Sequence, residues 1–135
     1  MGLRETVQAT LQADTTLMAL LTGGVHAATE ISRQDTSAAF DANAELTPCA
    51  LVRVATDTPT GPYDASTRTA VEIYFYQRAG YGTIDSALAR VFTLLNRVKL
   101  SGMWDIRHGD DVTDQEDAAL ACAMHMSRYY ATRLR

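Results

Sequence analysis

The residues best suited to chemistry in this 135-residue chain are concentrated between positions 107 and 117. The run reads RHGDDVTDQED and sets a histidine close to five carboxylates, a donor set that binds divalent metals. Metal ligands must converge, however, and adjacent residues of a strand or loop point apart. The run also lacks the spacing of an EF-hand loop or a zinc motif. We therefore interpret it as a solvated acidic loop, with a small metal-binding enzyme as the alternative from another functional class.

Catalytic motifs are missing from the rest of the sequence. The three histidines, His26, His108 and His125, are scattered, and the glycine pair at 80–82 has neither the third glycine nor the basic partner of a nucleotide-binding loop. Serines are plentiful, but spacing alone indicates no Ser/His/Asp arrangement, since such triads are spatial. We predict no catalytic residues, no cofactor, no bound metal and no enzymatic activity.

Tyrosines form a second candidate group. Tyr74, Tyr76, Tyr129 and Tyr130 lie on segments expected to share a sheet, where aromatic rings can stack on single-stranded nucleic acid. The same side chains suit cross-strand packing or a subunit interface. Glu72 lies among them, and the net charge of −4 argues against a dedicated nucleic-acid binder. We favour packing or an interface, and keep nucleic-acid binding as a third hypothesis.

The elements that position these groups are clearest in the centre of the chain. Over 68–78, apolar residues alternate with polar or aromatic ones, which predicts a strand with Val71, Ile73 and Phe75 on one face. After the turn at 80–82, an apolar stripe at helical spacing predicts an amphipathic helix capped by Thr83. That stripe consists of Ile84, Leu88, Val91, Leu95 and Val98.

The N-terminal third is predicted to be helical. The apolar face of a first helix is formed by Leu3, Val7 and Leu11. Asp14 has the character of an N-cap for a short second helix, which the glycines at 23–24 end. A short strand over 25–31 and a long loop over 32–47 follow.

A hairpin and a final strand complete the predicted sheet. Strand 48–56 pairs with strand 67–78, and the turn-rich connection 57–66 forms a projecting arm. A brief strand is expected over 103–107. From 120 to 134 a period of two favours a strand, although the capping-box spacing of 113–116 is typical of a helix start.

Composition sets the class of protein. With 47% hydrophobic and 21% charged residues, residues 1–135 are expected to form a single α+β domain. Its mostly antiparallel sheet would carry the N-terminal helices and one central amphipathic helix. Cys49 and Cys122 lie in apolar runs and are expected to be buried free thiols, because free cysteine behaves as a small hydrophobic residue. A disulfide between two strands is the alternative, although two cysteines make no disulfide framework. No apolar run has the length of a membrane span.

The order of these elements resembles the tail-terminator or tail-completion proteins of long-tailed bacteriophages and related prophages. Four segments carry the resemblance: 3–27, 48–54, 71–96 and 120–134. They cover most of the chain and define a fold rather than a reactive site.

The resemblance implies a subunit that closes into a ring of six copies. The ring would be located in the virion tail or neck after synthesis in the host bacterial cytoplasm. The ring caps the major tail tube protein, ends tube polymerisation and presents a joining surface to the head–tail connector. DNA passes through it without specific binding, and no membrane is involved. A head-closure or neck connector role in the same virion is the alternative.

The resemblance and the sheet pattern together point to the loop 32–47, the arm 57–66 and the aromatic strands as contact surfaces. The candidate inter-subunit or tube contacts are Arg33, Asp35, Asp41, Thr58, Thr60, Tyr63, Tyr74, Tyr76, Arg128 and Tyr130.

Overall fold

The computed structural model describes residues 2–60, 66–100 and 105–134. In these ranges the helices are α1 (Leu3–Gln12), α2 (Thr15–Leu20) and α3 (Gly82–Leu95). The strands are β1 (Val25–His26), β2 (Cys49–Pro59), β3 (Ser66–Gln77), β4 (Asp105–Asp117) and β5 (Cys122–Leu134). No helix of the described residues is long and apolar enough to cross a membrane.

All five strands join one sheet in the order β1-β2-β3-β5-β4. β1 runs parallel to β2, and the other neighbours are antiparallel, so the α+β prediction of a mostly antiparallel sheet is confirmed. The predicted hairpin between β2 and β3 is present in the described residues. Of the arm 57–66, residues 61–65 lie outside the described residues, as does the start of the predicted strand 103–107.

One face of the sheet is covered by helices, because both partners present apolar stripes to each other. β3 contributes Val71, Ile73 and Phe75, as its alternation predicts, and all three are fully buried. The helix side of this core contains Val7, Leu11, Leu17, Ile84, Ala87, Val91 and Leu95. The predicted stripes of the first and central helices are therefore confirmed, apart from Val98.

Helix α2 begins as predicted. The Asp14 carboxylate caps it by accepting a hydrogen bond from the Leu17 backbone N–H at 2.9 Å. The same carboxylate accepts two hydrogen bonds from the Arg90 guanidinium of α3, at 2.9 and 2.7 Å. These bonds from Arg90, helped by the Leu17 N–H, lower the pKa of Asp14 to about 2 against the opposing effect of burial.

Helix α3 differs from prediction at both ends. Thr83 is not the cap; instead the Gln77 Oε1 accepts from the Thr83 and Ile84 backbone N–H groups, at 3.0 and 3.2 Å. The helix ends at Leu95, and Val98 is 36% exposed. The chain leaves the helix because the next residues bind β4: the Arg97 N–H, for example, donates to the Ile106 carbonyl at 2.7 Å.

The acidic run was wrongly predicted as a loop. Residues 107–117 form most of β4, paired with β5 along its length and interrupted by two irregularities in register. The strand forms because pairing with β5 satisfies its backbone groups, while its exposed carboxylates remain in water. The sequence pattern of β5 correctly indicated a strand rather than a helix. β1 is shorter than the predicted 25–31, and β2 extends beyond 56 to Pro59.

The loop 32–47 covers part of the other face of the sheet. It contains a short 3-10 helix, Ser37–Ala39, and a bridge between Phe40 and Leu46. Under it lies a second apolar cluster, formed by Ile31, Ala39, Leu46, Cys49, Leu51, Tyr76 and Cys122. Both cysteines are free and buried, as predicted, and burial raises the pKa of Cys49 to about 12 and of Cys122 to about 11.

Candidate assembly surface

The part of the sheet that neither the helices nor the loop 32–47 covers is here called the open face. Across it runs a row of four side chains, one from each of four neighbouring strands: Arg53 of β2, Glu72 of β3, Arg128 of β5 and Asp110 of β4. Their charges alternate, so that each carboxylate lies next to an arginine. This row is called the charge ladder.

Arg128 is the centre of the charge ladder. Its Nη2 donates to Glu72 Oε2 at 3.0 Å, and its Nη1 lies 2.9 Å from both carboxylate oxygens of Asp110. The bond to Glu72, followed by the charge of Asp110, raises the pKa of Arg128, with burial acting in the opposite direction. The arginine therefore keeps its charge and links side chains of three strands.

Aromatic rings flank the ladder on both sides. The Tyr74 hydroxyl donates to Glu72 Oε1 at 3.1 Å, and burial, with Glu72 next in importance, raises the pKa of Tyr74. On the other side the Arg68 guanidinium lies over the Tyr130 ring at 4.7 Å from its centroid. The Tyr130 ring lies against Gly109 so closely that a Cβ there would overlap it. The open face is thus an ordered, mixed polar and aromatic surface.

Three of the predicted contact residues lie at exposed positions of the loop 32–47. Arg33 donates from Nε to the Ala44 carbonyl at 3.0 Å, and its guanidinium lies over the Phe40 ring. Asp41 Oδ1 accepts two backbone N–H groups of the same loop, at 2.8 and 3.0 Å. Asp35 is exposed on the same segment. Arg33 and Asp41 therefore shape the loop, and all three keep exposed surface.

The other predicted contact residues divide into three groups. Thr58 and Thr60 are exposed near the end of the hairpin, and Tyr63 lies outside the described residues. Tyr74, Arg128 and Tyr130 are half-buried on the open face, where the structure brings them together. Tyr76 is only 5% exposed and lies in the cluster under the loop 32–47, so its side chain offers little surface to a partner.

The four tyrosines do not form one stacking platform. Tyr129 points to the helix-covered face, is fully buried and packs edge-to-face on His108 with centroids 5.3 Å apart. Its neighbour Tyr130 points to the open face. The signal was present in the sequence, because successive residues of a strand alternate between faces. With Tyr76 also buried, only Tyr74 and Tyr130 of these four tyrosines keep accessible ring surface, which disfavours the nucleic-acid hypothesis.

The acidic run does not assemble a catalytic triad around His108. The Nε2 of His108 lies 2.8 Å from Asp111 Oδ1, and the Ser127 hydroxyl donates to the same oxygen at 2.6 Å. Asp111 thus stands between the histidine and the serine, whereas a triad requires the histidine in the middle. Ser127 is also fully buried. The arrangement ties β4 to β5 rather than activating a nucleophile.

A second histidine cluster was not found by sequence reasoning. His125, 1% exposed, stacks on Tyr81 and lies with Nε2 2.5 Å from Asp85 Oδ1. Its Nδ1 accepts the Asp114 backbone N–H at 3.1 Å, so this network places the ring proton on Nε2. Asp85, Asp114 and His125 bring potential metal ligands together, but both ring nitrogens are already engaged in hydrogen bonds. Because Asp85 and His125 are 40 positions apart in the sequence, their spacing did not predict the cluster.

Fold and surface together define a small α+β protein that exposes one sheet face and polar residues of the loop 32–47. No protein-family model and no curated protein matches its sequence. Among solved structures, the fold is similar to that of a chain in the virion of a native gene transfer agent (GTA) particle. The TM-score is 0.67 at 19% identity, covering 98% of this chain and 95% of that chain. The likeness spans both chains nearly end to end and is a likeness of fold.

Proposed function

We propose that this chain is a structural protein of a phage-like virion, of the tail-terminator or tail-completion type. In this role, copies of the chain form a ring that caps the tail tube, ends its polymerisation and provides the surface to which the head is joined. The observation that carries the proposal is the fold likeness to a chain of the GTA virion, which covers 98% of this chain. The element order that resembles tail-terminator proteins supports the finer assignment.

The chemistry of the described residues is consistent with a role exerted through shape and contact. On the open face Arg128, Glu72 and Asp110 are engaged with one another, and Ser127 is buried beside the Asp111 carboxylate rather than beside a histidine. We propose that the protein is not an enzyme and that the net charge of −4 lets DNA pass without being held.

The proposed partners are further copies of this chain, the major tail tube protein and the head–tail connector or head-closure protein. The loop 32–47 and the distal end of the β2–β3 hairpin are proposed as contact segments, because both carry exposed polar residues at the periphery of the fold. A ring of neighbours would also cover the edges of an open sheet, which are otherwise free to pair with other chains.

The proposal is tested by assembly rather than by activity. The purified chain is examined by mass photometry over a range of concentrations and by negative-stain electron microscopy. It is then mixed with polymerised tail-tube protein from the same genome. We expect rings with a central hole, six-fold in the simplest case, and density at one end of each tube whose length no longer increases.

Two results would contradict the proposal. A chain that stays monomeric at the highest concentration and leaves tube ends bare is not a tail terminator. Rings that do not bind the tail tube but do bind the purified connector of the same virion would instead support the head-closure role.

A further inference from the structure

Two arginines lie at one edge of the sheet. β1 pairs only with Ala50 and Leu51 of β2, so from Arg53 onward no strand of the described residues covers that edge. Beside it lies a cavity of about 260 Å³ whose lining includes Arg4 and Arg53 and contains no carboxylate. Both arginines are exposed, and neither forms an ion pair with a residue the structure describes. This feature is called the arginine cavity.

The opposite edge of the sheet carries unneutralised negative charge. On β4, Asp114 and Glu116 are exposed and form no ion pair within the described ranges. Asp85 of α3 lies beside Asp114, with potential ligand atoms of both and of His125 within 4.8 Å of one another. Asp85, Asp114 and Glu116 are called the acidic edge. It is the sign-reversed counterpart of the arginine cavity on the far side of the same sheet.

The charge ladder is also positive at the β2 edge of the sheet and negative at the β4 edge. It begins with Arg53 at the β2 edge and ends with Asp110 at the β4 edge. Two copies placed side by side in the same orientation would bring the carboxylate-bearing β4 edge of one to the arginine-bearing β2 edge of the next. Such a contact joins two different patches, is head-to-tail, and generates a ring when its rotation closes.

We propose that the acidic edge of one copy docks on the arginine cavity of a second copy of this chain. The inference rests on the ring of the proposed function and names its subunit interface. The contact is made by side chains, because two register irregularities and the positive φ of Asp114 disturb β4 as a template for strand addition. The carboxylates of the next copy match the charge of the cavity. Because Gln115 of β4, between Asp114 and Glu116, lies level with Cys49 of β2 and not with Arg53, the two copies are offset along the strands in this contact.

Charge-reversal variants provide the test. R4E/R53E reverses the arginine cavity, and D114N/E116K removes and reverses charge on the acidic edge. Asparagine tolerates the positive φ of position 114, and all four side chains are exposed, so folding is expected to survive. The control K99E reverses the charge of one exposed basic residue after α3 that belongs to neither the arginine cavity nor the acidic edge. Circular dichroism and thermal unfolding check the fold of each variant.

Sedimentation velocity then measures assembly of each variant alone and of a 1:1 mixture. Each interface variant alone is expected to assemble at least about tenfold more weakly than the wild type, whereas K99E assembles like the wild type. In the mixture, the acidic edge of R4E/R53E is intact and meets the arginine cavity of D114N/E116K, which is also intact. The lysine introduced by E116K meets the glutamates introduced by R4E/R53E. Assembly of the mixture with alternating subunits is therefore expected to recover.

The outcomes separate this interface from the proposed function. If R4E/R53E and D114N/E116K still form wild-type rings, the interface is wrong and the ring function stands. If the mixture fails to recover, or if the arginine cavity instead binds a labelled oligonucleotide that R4E/R53E loses without any effect on assembly, the interface is also overturned. A wild-type chain that assembles neither alone nor on tubes would overturn both.

Discussion

The two faces of the sheet use the same strands for opposite purposes. On β3, Ile73 and Phe75 are fully buried under the helices, while Glu72 and Tyr74, one residue away, lie half-buried on the open face. The helix-covered face gains free energy by removing apolar surface from water. The open face keeps its charges in a partly solvated row, in which ion pairs contribute little stability.

The comparison indicates where this protein tolerates change. A face that holds the fold must be packed closely, since protein interiors leave few voids. A face built from exposed or half-exposed ion pairs can be altered at modest cost, because water replaces a lost partner. The stability of the fold is therefore expected to depend on the helix-covered face. Interactions with other molecules are expected to depend on the open face and the edges of the sheet.

The largest expected effect comes from the helix-covered face. Phe75→Ala removes a fully buried ring between β3 and the helices and is expected to cost about 3–5 kcal/mol of unfolding free energy. Urea denaturation followed by circular dichroism measures the loss. Phe92→Ala is the matched control, because Phe92 is 44% exposed and the same change there should cost about 1 kcal/mol or less. Equal losses at the two positions would contradict the division between the faces.

An intermediate effect is expected at the centre of the charge ladder. Arg128→Ala leaves Glu72 and Asp110 as neighbouring carboxylates without their shared cation. Because the arginine is 28% exposed, water offsets part of the loss, and we expect about 1–2 kcal/mol.

The matched control on the same face is Arg68→Ala, which removes a ring contact but no ion pair of the described residues. It should cost less than Arg128→Ala, and added salt should narrow the difference between the two variants. A loss at Arg128 as large as that of Phe75→Ala would show that the open face also holds the fold.

The sequence predicted the helix-covered face well because one rule governs both layers. Alternation in β3 and the helical stripe of α3 each identify an apolar side, and two such sides must meet. Asp14 was also found, since an N-cap bonds to a backbone group three residues away. Features determined by residues close together in the sequence could therefore be predicted.

Features determined by residues far apart in the sequence could not be predicted from it. Gln77 replaces Thr83 as the cap of α3 because the turn returns its amide to the helix start. β4 is a strand because β5 pairs with it, although its own residues are acidic and mostly exposed. The charge ladder required the register of four strands, and no spacing within one strand reveals it. The acidic edge likewise joins residues from separate elements.

The smallest expected effect lies within the helix layer, where an ion pair can be compared with the ladder. Asp14→Asn keeps a side-chain oxygen to cap Leu17 but removes the charge that Arg90 binds. Because the pKa of Asp14 is lowered from its ordinary 3.8 to about 2, its ionised form stabilises the folded state at pH values above about 4. That contribution is lost as the pH falls through about 2.

Urea denaturation at a series of pH values from 7 to 2 measures the difference in unfolding free energy between the wild type and Asp14→Asn. The difference should be constant down to about pH 4 and should shrink at lower pH. Asp35→Asn, at an exposed loop position, should show no such trend, and a difference independent of pH would mean that Arg90 does not bind the charge.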